Sequence, residues 1–421
     1  MSVQFERVFE ASPYSVEVHK ENRPHVEETI IGGLALSDLR PMPAEVKSRF
    51  EHVREFMKQD LIGQDDAIEP FINMMDRASV RLDKKPLASM LFIGPSGTGK
   101  TETSEVFDSA LRALGKRVVY KKINCGDYAE RHEIATLLGA PPGYKGYDDP
   151  AFFDPKFFAA SKQDNNQISI LLLDELEKGH DQLHKMFLAM LDKGELQLRD
   201  NRTVYFHNTV IIATSNAGAE DMSARLKPAL GFSSESESKQ VNRDSIKSAA
   251  LKGLEQEFKH MPEFLNRFTD TVVFMPHSEE TFHGILDKTV RNRNRNYKIE
   301  KGVEVGLSDK TKKVFVETAL KEVHRGARPL IELYSEKVEV MMSRYISANQ
   351  LPVGSKLVIA HQSELPDGFA ESDPLGLVFL TSYSQEIFDE YHKEKARVDE
   401  ERKQRELEST VQVVSEETLD S

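Results

Sequence analysis

The sequence has one cysteine and no tryptophan, and it lacks any long apolar run. A single thiol, Cys125, permits no disulfide within the chain and no zinc site built from cysteines alone. One thiol also fits a reducing compartment, so we expect a cytoplasmic protein. No stretch approaches the roughly 18 consecutive apolar residues of a membrane span, and the N-terminal residues lack the basic start and apolar run of a signal peptide. We therefore expect no membrane association.

An excess of positive charge is also absent. The 421 residues carry a formal net charge of -13, whereas neutralising nucleic-acid phosphates requires clustered Lys and Arg. The most basic run, "RNRNRNYK" (Arg291–Lys298), alternates its arginines, and alternate residues do not share one face of a helix. A nucleic-acid partner is therefore disfavoured.

Apolar runs alternate with longer amphipathic segments from about residue 56 to 275. The runs are Ser89–Gly94, Arg117–Asn124, Ile168–Glu175 and Thr209–Asn216. Near-continuous apolar strands of this kind are typical of buried parallel strands, so the pattern predicts an α/β domain with a parallel sheet. A polar stretch within it, Ser233–Gln240, is expected to be a mobile loop.

The rest of the chain divides by composition. Residues 276–382 have mainly helical spacing followed by two short β-like runs, "SKLVIAH" and "LGLVFL", which predicts a helical domain with a small sheet. Residues 1–55 form an N-terminal extension to which no role can be assigned. Residues 383–421 are highly charged and are expected to be a solvated helix or disordered.

The strongest motif is "GPSGTGKT" (Gly94–Thr101), which fits the P-loop pattern G-x-x-x-x-G-K-[ST] and lies between an apolar strand and a helix-like segment. Its glycines let backbone N–H groups curl around phosphates, and the following helix adds a favourable partial charge. Lys100 is expected to reach the β- and γ-phosphates, and the Thr101 hydroxyl to ligate Mg²⁺. The predicted ATP-binding residues here are Gly94, Pro95, Ser96, Gly97, Thr98, Gly99, Lys100, Thr101 and Glu102.

A second motif, "ILLLDELEK", places two carboxylates at the end of an apolar strand downstream of the P-loop. Asp174 is expected to hold Mg²⁺, directly or through water, and Glu175 to orient and deprotonate the attacking water. Asn216 ends the next apolar run. It either positions the water at the γ-phosphate or serves only in a turn, and spacing alone does not decide between these roles.

Seven segments, in the same order along the chain, carry a resemblance to a known family, and the similarity covers about residues 60 to 345. Together they resemble the AAA+ ATPase module of the Clp unfoldases, most closely the second module of ClpA, ClpB and ClpC. The resemblance implies a three-layer α/β P-loop domain followed by a helical lid. The segments are "LIGQDDAIEPF", "LFIGPSGTGKTE", "GDYAERHEIATLLGAPPGYKGY", "LLLDELEKGH", "LDKGELQLRDNRTVYFHNTVIIATSNAG", "PEFLNRFTDTVVF" and "GARPL".

The resemblance implies roles for five residues. Asn216 falls on the sensor-one asparagine, Arg267 on the arginine finger that reaches a neighbouring subunit's nucleotide, and Arg328 on the sensor-two arginine of the lid. Ile62 and Gly63 fall where the family packs adenine. From spacing alone, both arginines would be ordinary surface ion-pair residues.

The Gly- and Pro-rich stretch "GAPPGYKGY" resembles the pore loop of the Clp ATPases, in which an aromatic side chain faces the axial channel of a ring. Tyr144 is then the residue that grips an unfolded polypeptide, because a flat ring presses on any sequence. Lys145 departs from the small aliphatic residue usual in the family. It either favours acidic substrate segments or pairs with a nearby carboxylate such as Asp148.

A second loop bears on a possible peptidase partner. Leu230, Gly231 and Phe232 match the aliphatic-Gly-Phe/Leu tripeptide by which family members dock onto the ClpP peptidase, and they stand where the family places that loop. The tripeptide is common by chance, since Val305–Leu307 and Leu375–Leu377 also match it. Phe232 could instead pack locally, so docking and local packing both stay open.

The resemblance implies an ATP-dependent protein unfoldase that threads polypeptide through a homo-hexameric ring, with ATP and Mg²⁺ as cofactors and a single ATPase module per chain. A ClpP-like peptidase as partner and a stand-alone chaperone without one are both compatible with the sequence. A nucleic-acid AAA+ motor and a scaffold that binds ATP without turnover are the less favoured alternatives.

Overall fold

The computed structural model describes residues 30–31, 34–35, 48–78, 80–82, 84–139, 151–158, 167–226, 235–368, 372–397 and 400. The chain divides into two units, Met1–Lys47 and Ser48–Ser421. In the first unit, strand β1 (Ile30–Ile31) pairs antiparallel with β2 (Leu34–Ala35). All further elements belong to the second unit.

A five-stranded parallel sheet is the centre of the second unit. Its strands are β3 (Ala88–Ile93), β4 (Arg117–Asn124), β5 (Gln167–Asp174), β8 (Thr209–Ser215) and β9 (Asp270–Val273), in the order β4-β5-β8-β3-β9. Every residue of β3 and β8 is buried, as their mainly apolar sequences lead one to expect. The predicted parallel sheet is confirmed. Strand β9 was not predicted, because it is short and its first two residues are polar.

Helices cover both faces of this sheet and make three layers. On one face, Met57, Phe71 and Phe107 pack with Phe92 of the sheet. On the other face, Phe187 and Leu254 belong to a second core that includes Leu171 and Ile211 of the strands. The helices are α1 (Glu51–Asp60), α2 (Glu69–Ala78), α3 (Lys100–Ala113), α4 (Ile134–Leu138), α5 (Pro155–Phe158), α6 (Asp181–Lys193), α7 (Ala219–Leu226), α8 (Glu235–Glu257) and α9 (Pro262–Leu265), with a hairpin of β6 (Glu195–Gln197) and β7 (Thr203–Tyr205).

A mainly helical region with a small sheet follows, which confirms the predicted fold class. Here β11 pairs parallel with β10 and antiparallel with β12, and a separate apolar core includes Phe282, Phe315 and Tyr334. The run Arg291–Lys298 lies within its first helix. The elements are α10 (Glu279–Lys301), β10 (Val303–Leu307), α11 (Asp309–Leu320), α12 (Arg328–Tyr334), α13 (Val340–Ser347), β11 (Ser355–His361) and β12 (Leu377–Tyr383).

One expected loop is wrong. Glu235 begins helix α8, so residues 235–240 of the polar stretch Ser233–Gln240 are helical, while 233–234 lie outside the described residues. Glu, Lys and Gln have good helix propensity, and the same helix buries Ile246 and Leu254 further along. Polar composition alone therefore does not distinguish a loop from the first turns of a helix.

Within the charged tail, residues 385–397 are helical and Ile387 is only 3% exposed. Across the described residues, no helix combines the length and the apolar character needed to cross a membrane.

Candidate nucleotide-binding site

The predicted P-loop joins β3 to α3 and has left-handed backbone at several glycines. Gly97 has φ +73° and Gly99 has φ +95°, a region that favours glycine. Gly97 also permits a close approach, because a Cβ there would lie 2.3 Å from the carbonyl oxygen of Arg325. Helix α3 begins at Lys100, so its N-terminal N–H groups face the loop. The arrangement is suited to an anion.

Lys100 is buried under this loop. Its Nζ donates to the carbonyl oxygens of Gly94 (2.6 Å) and Pro95 (2.8 Å) and to Oδ1 of Asn216 (2.9 Å). Burial lowers the pKa of Lys100 to about 8, although Glu177 and Asp174 oppose this shift. The lysine is thus held by three neutral acceptors at the place where phosphates are expected.

Asp174 lies at the carboxyl end of β5 and is held by three donors. Lys122 Nζ is 2.6 Å from its Oδ2, Thr214 donates to its Oδ1, and Thr101 Oγ1 lies 3.4 Å from the same oxygen. Burial alone would raise the pKa of Asp174, but the hydrogen bonds from Lys122 and Thr214 outweigh it and hold the pKa below its ordinary value. Asp174 is therefore a carboxylate at neutral pH, close to the Thr101 hydroxyl.

Glu175 is the next residue and has an unusual backbone, with φ +55° and ψ +52°. Left-handed backbone is rare for residues other than Gly, Asn and Asp and clusters at functional sites. Its backbone N–H donates to Thr214 Oγ1 (3.1 Å), and its carboxylate accepts from Lys178 Nζ (2.8 Å). This turn separates the carboxylates of Asp174 and Glu175, and both line one cavity.

Asn216 connects the P-loop lysine to a carboxylate that sequence reasoning missed. Its backbone N–H and its Nδ2 donate to Oε1 of Glu177, at 3.1 and 3.2 Å. These two hydrogen bonds to the same oxygen orient the Asn216 side-chain amide so that its Oδ1 faces Lys100. The "DELEK" motif contained the signal, since Glu177 stands three residues after Asp174 where the strand has just ended.

Two more residues at this edge were also missed, Lys122 and Thr214. Asp174 pairs in register with Asn124 on β4, and Leu173 with Ala213 on β8. Polar residues at the carboxyl ends of neighbouring parallel strands converge, so the sequence contained this signal once the strand order was known.

Two cavities flank the P-loop and share Gly97, Gly99 and Glu102. The first, about 250 Å³, is lined by Ile62 together with Leu61, Ile285 and Ile331, and its mixed lining suits a flat base. Gly63 does not line it but packs against Thr281, which a Cβ at Gly63 would approach within 2.7 Å. The structure therefore places Ile62, and not Gly63, at this cavity.

Two further residues of the first cavity were not predicted. Gln64 Nε2 donates to the carbonyl oxygens of Thr98 (3.1 Å) and Met275 (2.9 Å). These bonds link the P-loop to the residues that follow strand β9. His277 Nε2 lies 3.2 Å from the Gly97 carbonyl oxygen, and its buried Nδ1 has no hydrogen-bond partner among the described residues. Burial lowers the pKa of His277, so the ring is neutral at neutral pH.

The second cavity, about 380 Å³, contains the charged groups. It is lined by Lys100, Thr101, Asp174, Glu175 and Asn216 from the α/β region and by Arg328 at the start of α12. The Ala327 N–H donates to the Gly97 carbonyl oxygen at 3.0 Å. These contacts bring five predicted site residues and the predicted lid arginine to one place.

The helical region also contacts the α/β region beside the first cavity. The Lys288 side chain of α10 is mostly buried, and its Nζ donates to the Asp60 carbonyl oxygen at 2.5 Å and to the carboxylate of Glu102. Glu102, predicted to contact nucleotide, thus faces the helical region as well as both cavities.

Arg267 lies elsewhere. It follows α9, lines neither cavity, and its Nε is 3.5 Å from Asp192 Oδ1 at 40% side-chain exposure. An exposed guanidinium in a weak surface ion pair is free to engage another molecule. Tyr144, Lys145, Leu230, Gly231 and Phe232 lie outside the described residues.

Two family models match consecutive parts of the chain. Residues 85–271 match the AAA domain (Cdc48 subfamily), and residues 278–359 match the C-terminal, D2-small domain of ClpB protein. The two matches include all residues that line the second cavity, whereas Leu61, Ile62, Gln64 and His277 of the first cavity lie outside them.

Known proteins with similar sequences include the chaperone protein ClpB of Clostridium perfringens, 32% identical over 74% of this chain and 34% of that protein. Another is the ATP-dependent Clp protease ATP-binding subunit ClpC of Staphylococcus aureus, 30% identical over 80% of this chain and 40% of that protein. The chain thus spans between about a third and two-fifths of these relatives.

Solved structures of Hsp104 share the fold. A closed state with ATPγS and FITC casein has a TM-score of 0.61 at 23% identity, covering 81% of this chain and 52% of that one. The extended conformation of the S. cerevisiae Hsp104:casein complex has a TM-score of 0.63 at 25% identity, covering 76% of this chain and 52% of that one.

Proposed function

The chain belongs to the Clp family of AAA+ ATPases, and from this premise we propose that it is an ATP-driven protein unfoldase that acts as a ring of identical subunits. The observation that carries the proposal is the convergence of Lys100, Asp174, Glu175, Asn216 and Arg328 on one cavity beside the P-loop. Their ammonium, carboxylate and guanidinium groups are the side chains that phosphoryl transfer to water commonly uses on one subunit, which supports the proposal.

In the proposed reaction, water forms a bond to the γ-phosphorus of ATP and the bond to the β–γ bridging oxygen breaks. Glu175 accepts the proton of the attacking water, and Asn216 orients that water. Lys100 exchanges its carbonyl partners for the β- and γ-phosphates, and Arg328 offsets charge on the γ-phosphate.

The residues present also fit Mg²⁺. Asp174 is an ionised carboxylate 3.4 Å from the Thr101 hydroxyl, and oxygen ligands are those that Mg²⁺ prefers. Thr101 and Asp174 would hold the ion, which neutralises charge on the phosphate oxygens when bound.

Arg267 is proposed to act on the ATP of a neighbouring subunit. Its exposure and its position outside both cavities of its own subunit support this, since an arginine supplied in trans must be at the surface. A contact of this type is heterologous, and it closes into a ring where the rotation between successive subunits permits. The hexameric number rests on the family resemblance.

The proposed substrate is an unfolded polypeptide threaded through the ring. Tyr144 would grip it, and Lys145 would bias the grip toward acidic segments. The Hsp104 structures that share this fold are complexes with casein, which supports protein over nucleic acid as the substrate. Leu230–Phe232 would dock a ClpP-like peptidase. The relatives include both a chaperone and a protease subunit, so a stand-alone remodeller is the second candidate.

A subunit-mixing experiment tests the ring and both catalytic assignments together. Arg267→Ala and Glu175→Gln should each be nearly inactive in ATP hydrolysis. Mixed, they should regain activity, because an Arg267→Ala subunit keeps its own Glu175 and can receive Arg267 from a Glu175→Gln neighbour. The matched control is Arg77→Ala, which removes another exposed arginine with a surface ion pair and should retain full activity. Mixtures that stay inactive would contradict catalysis in trans.

A further inference from the structure

Three side chains that the nucleotide site does not use lie together at the start of α6. Asp181 is the first residue of α6, His184 follows one turn later, and His260 lies in the turn between α8 and α9. One potential ligand atom from each lies within 4.8 Å of the other two. Two imidazoles and a carboxylate are ligands that transition metals share.

His184 provides the independent observation. It is 3% exposed, and its Nε2 lies 2.8 Å from the Leu176 carbonyl oxygen. Since a carbonyl only accepts, Nε2 carries the proton and Nδ1 presents a lone pair. Nδ1 is buried and has no hydrogen-bond partner in the described part of the chain. A buried acceptor without a partner costs folding free energy, and a metal ion bound to this nitrogen would offset that cost.

The environment of His184 also fixes its ring. The imidazole lies against Phe258 and Phe264, with ring centroids 5.4 and 5.5 Å away. A hydrogen bond from the far nitrogen to a backbone carbonyl is how metal-bound histidines are usually oriented. His184 is therefore held in the tautomer that ligation through Nδ1 requires.

The other two ligands already have suitable spacing. His260 Nε2 is 3.3 Å from Asp181 Oδ1. Ligand atoms each about 2.0–2.1 Å from a tetrahedral Zn²⁺ lie roughly 3.3 Å from one another. Both side chains are exposed, 62% for Asp181 and 46% for His260, so each can rotate toward a third ligand without disturbing the core.

We propose that Asp181, His184 Nδ1 and His260 Nε2 form a Zn²⁺ site whose fourth position is open to solvent. Three protein ligands with one open position is a common zinc arrangement, whereas Mg²⁺ prefers oxygen ligands alone. The ion would join α6 to the turn that precedes α9. Asp192 near the end of α6 pairs with Arg267 just after α9, so the ion would brace the two elements that carry this pair.

The experiment measures Zn²⁺ affinity of the full chain, without Mg²⁺ or nucleotide, by competition with a chromophoric chelator. Co²⁺ is then substituted to obtain an absorption spectrum that reports tetrahedral geometry. We expect one ion per chain, with affinity at least about tenfold weaker in His260→Ala and in Asp181→Asn. Both residues are exposed, so neither variant should unfold. His132→Ala, which removes an exposed histidine outside the cluster, is the matched control and should bind as the unchanged protein does.

Loss of the tetrahedral Co²⁺ spectrum in the two ligand variants, and not in the control, would support the site. The proposal is overturned if the chain binds no Zn²⁺, if His260→Ala and Asp181→Asn bind as tightly as the control, or if Co²⁺ gives an octahedral spectrum. Because ATP hydrolysis is not the readout, any of these results leaves the proposed function unaffected.

Discussion

Lys100 Nζ donates a hydrogen bond to Asn216 Oδ1 at 2.9 Å, so the P-loop lysine and the strand-end asparagine are partners in the structure. Glu177 holds the same asparagine through its backbone N–H and its amide. In the proposed reaction, phosphates would replace the acceptors around Lys100, and Asn216 Oδ1 would then be available to the attacking water. This exchange would couple nucleotide binding to assembly of the catalytic arrangement.

The pKa of Lys100 predicts a pH dependence of ATP affinity. Only the protonated ammonium attracts phosphate, and burial lowers its pKa to about 8. Affinity should therefore be constant below pH 8 and fall about tenfold per pH unit above it, as the lysine becomes neutral. The measurement is a titration with ATP between pH 7 and 9.5 in the Glu175→Gln background, which prevents turnover.

The control for this dependence is Lys100→Arg, because a guanidinium stays charged over the whole range. Its affinity, whatever its absolute value, should not change with pH. Equal affinity of the lysine protein at pH 7.5 and 9.5 would show that Lys100 is not the titrating group.

Replacing Glu175 by Gln should slow ATP hydrolysis by a factor on the order of 10²–10⁴, the usual worth of a general base, and leave ATP binding nearly unchanged. The amide keeps the shape of the side chain but cannot take the proton. Single-turnover hydrolysis and equilibrium binding measure the two effects separately. Glu220→Gln, an exposed glutamate of α7, is the control, and normal turnover in Glu175→Gln would refute the base assignment.

His277 predicts loss of stability in mild acid. Burial lowers its folded-state pKa below the ordinary value of 6.5, so the unfolded chain binds the proton more readily. Stability should therefore fall as the pH drops below about 6.5 toward the folded-state pKa, and be unaffected above it. His277→Leu should reduce the difference in the free energy of unfolding between pH 7.5 and 5.5 by on the order of 1 kcal/mol.

Denaturant unfolding at the two pH values measures this difference. His184, whose pKa burial also lowers, contributes in the same direction and remains in the variant. His132→Leu at an exposed position should leave the difference as it is. An undiminished difference in His277→Leu would mean that other groups cause the acid sensitivity.

The peptidase question has its own measurement. The Glu175→Gln protein with ATP should retain a ClpP-like peptidase from a lysate, identified by mass spectrometry, if the docking role of Leu230–Phe232 is correct. Replacing these three residues by alanine should abolish capture of the peptidase. The similar tripeptide Val305–Leu307 is not a valid control, because it lies in β10 and its replacement would disturb the fold. Capture that persists after the change would contradict docking through Leu230–Phe232, and capture of no peptidase at all would favour the stand-alone remodeller.

Much of the fold followed from the sequence because its signals are local. Mainly apolar runs identified the bounds of β3, β4, β5 and β8 within one residue, and the P-loop pattern identified the turn between β3 and α3. The start of α8 was missed because a polar segment can be a loop or a helical turn, and the apolar residues that this helix buries come only later in the chain.

The site was predicted less completely, and the missing residues share a cause. Lys122 and Thr214 reach Asp174 only because β4 and β8 flank β5, and a strand order is not visible in one sequence. Gln64, His277 and Lys288 form hydrogen bonds with residues more than 30 positions away in the chain. Such contacts depend on how distant segments pack together around the P-loop. Motifs identified the residues proposed to contact ATP, but not the residues that hold these side chains in place.

The most direct test of an ATP-driven unfoldase is the unfolding of a fluorescent protein that carries an unstructured tail, followed as ATP-dependent loss of fluorescence. The account predicts loss with ATP, none with Glu175→Gln, and none with Tyr144→Ala although that variant still hydrolyses ATP. Undiminished unfolding by Tyr144→Ala would contradict threading past this loop, and ATP hydrolysis without any unfolding by the unchanged protein would contradict the unfoldase itself.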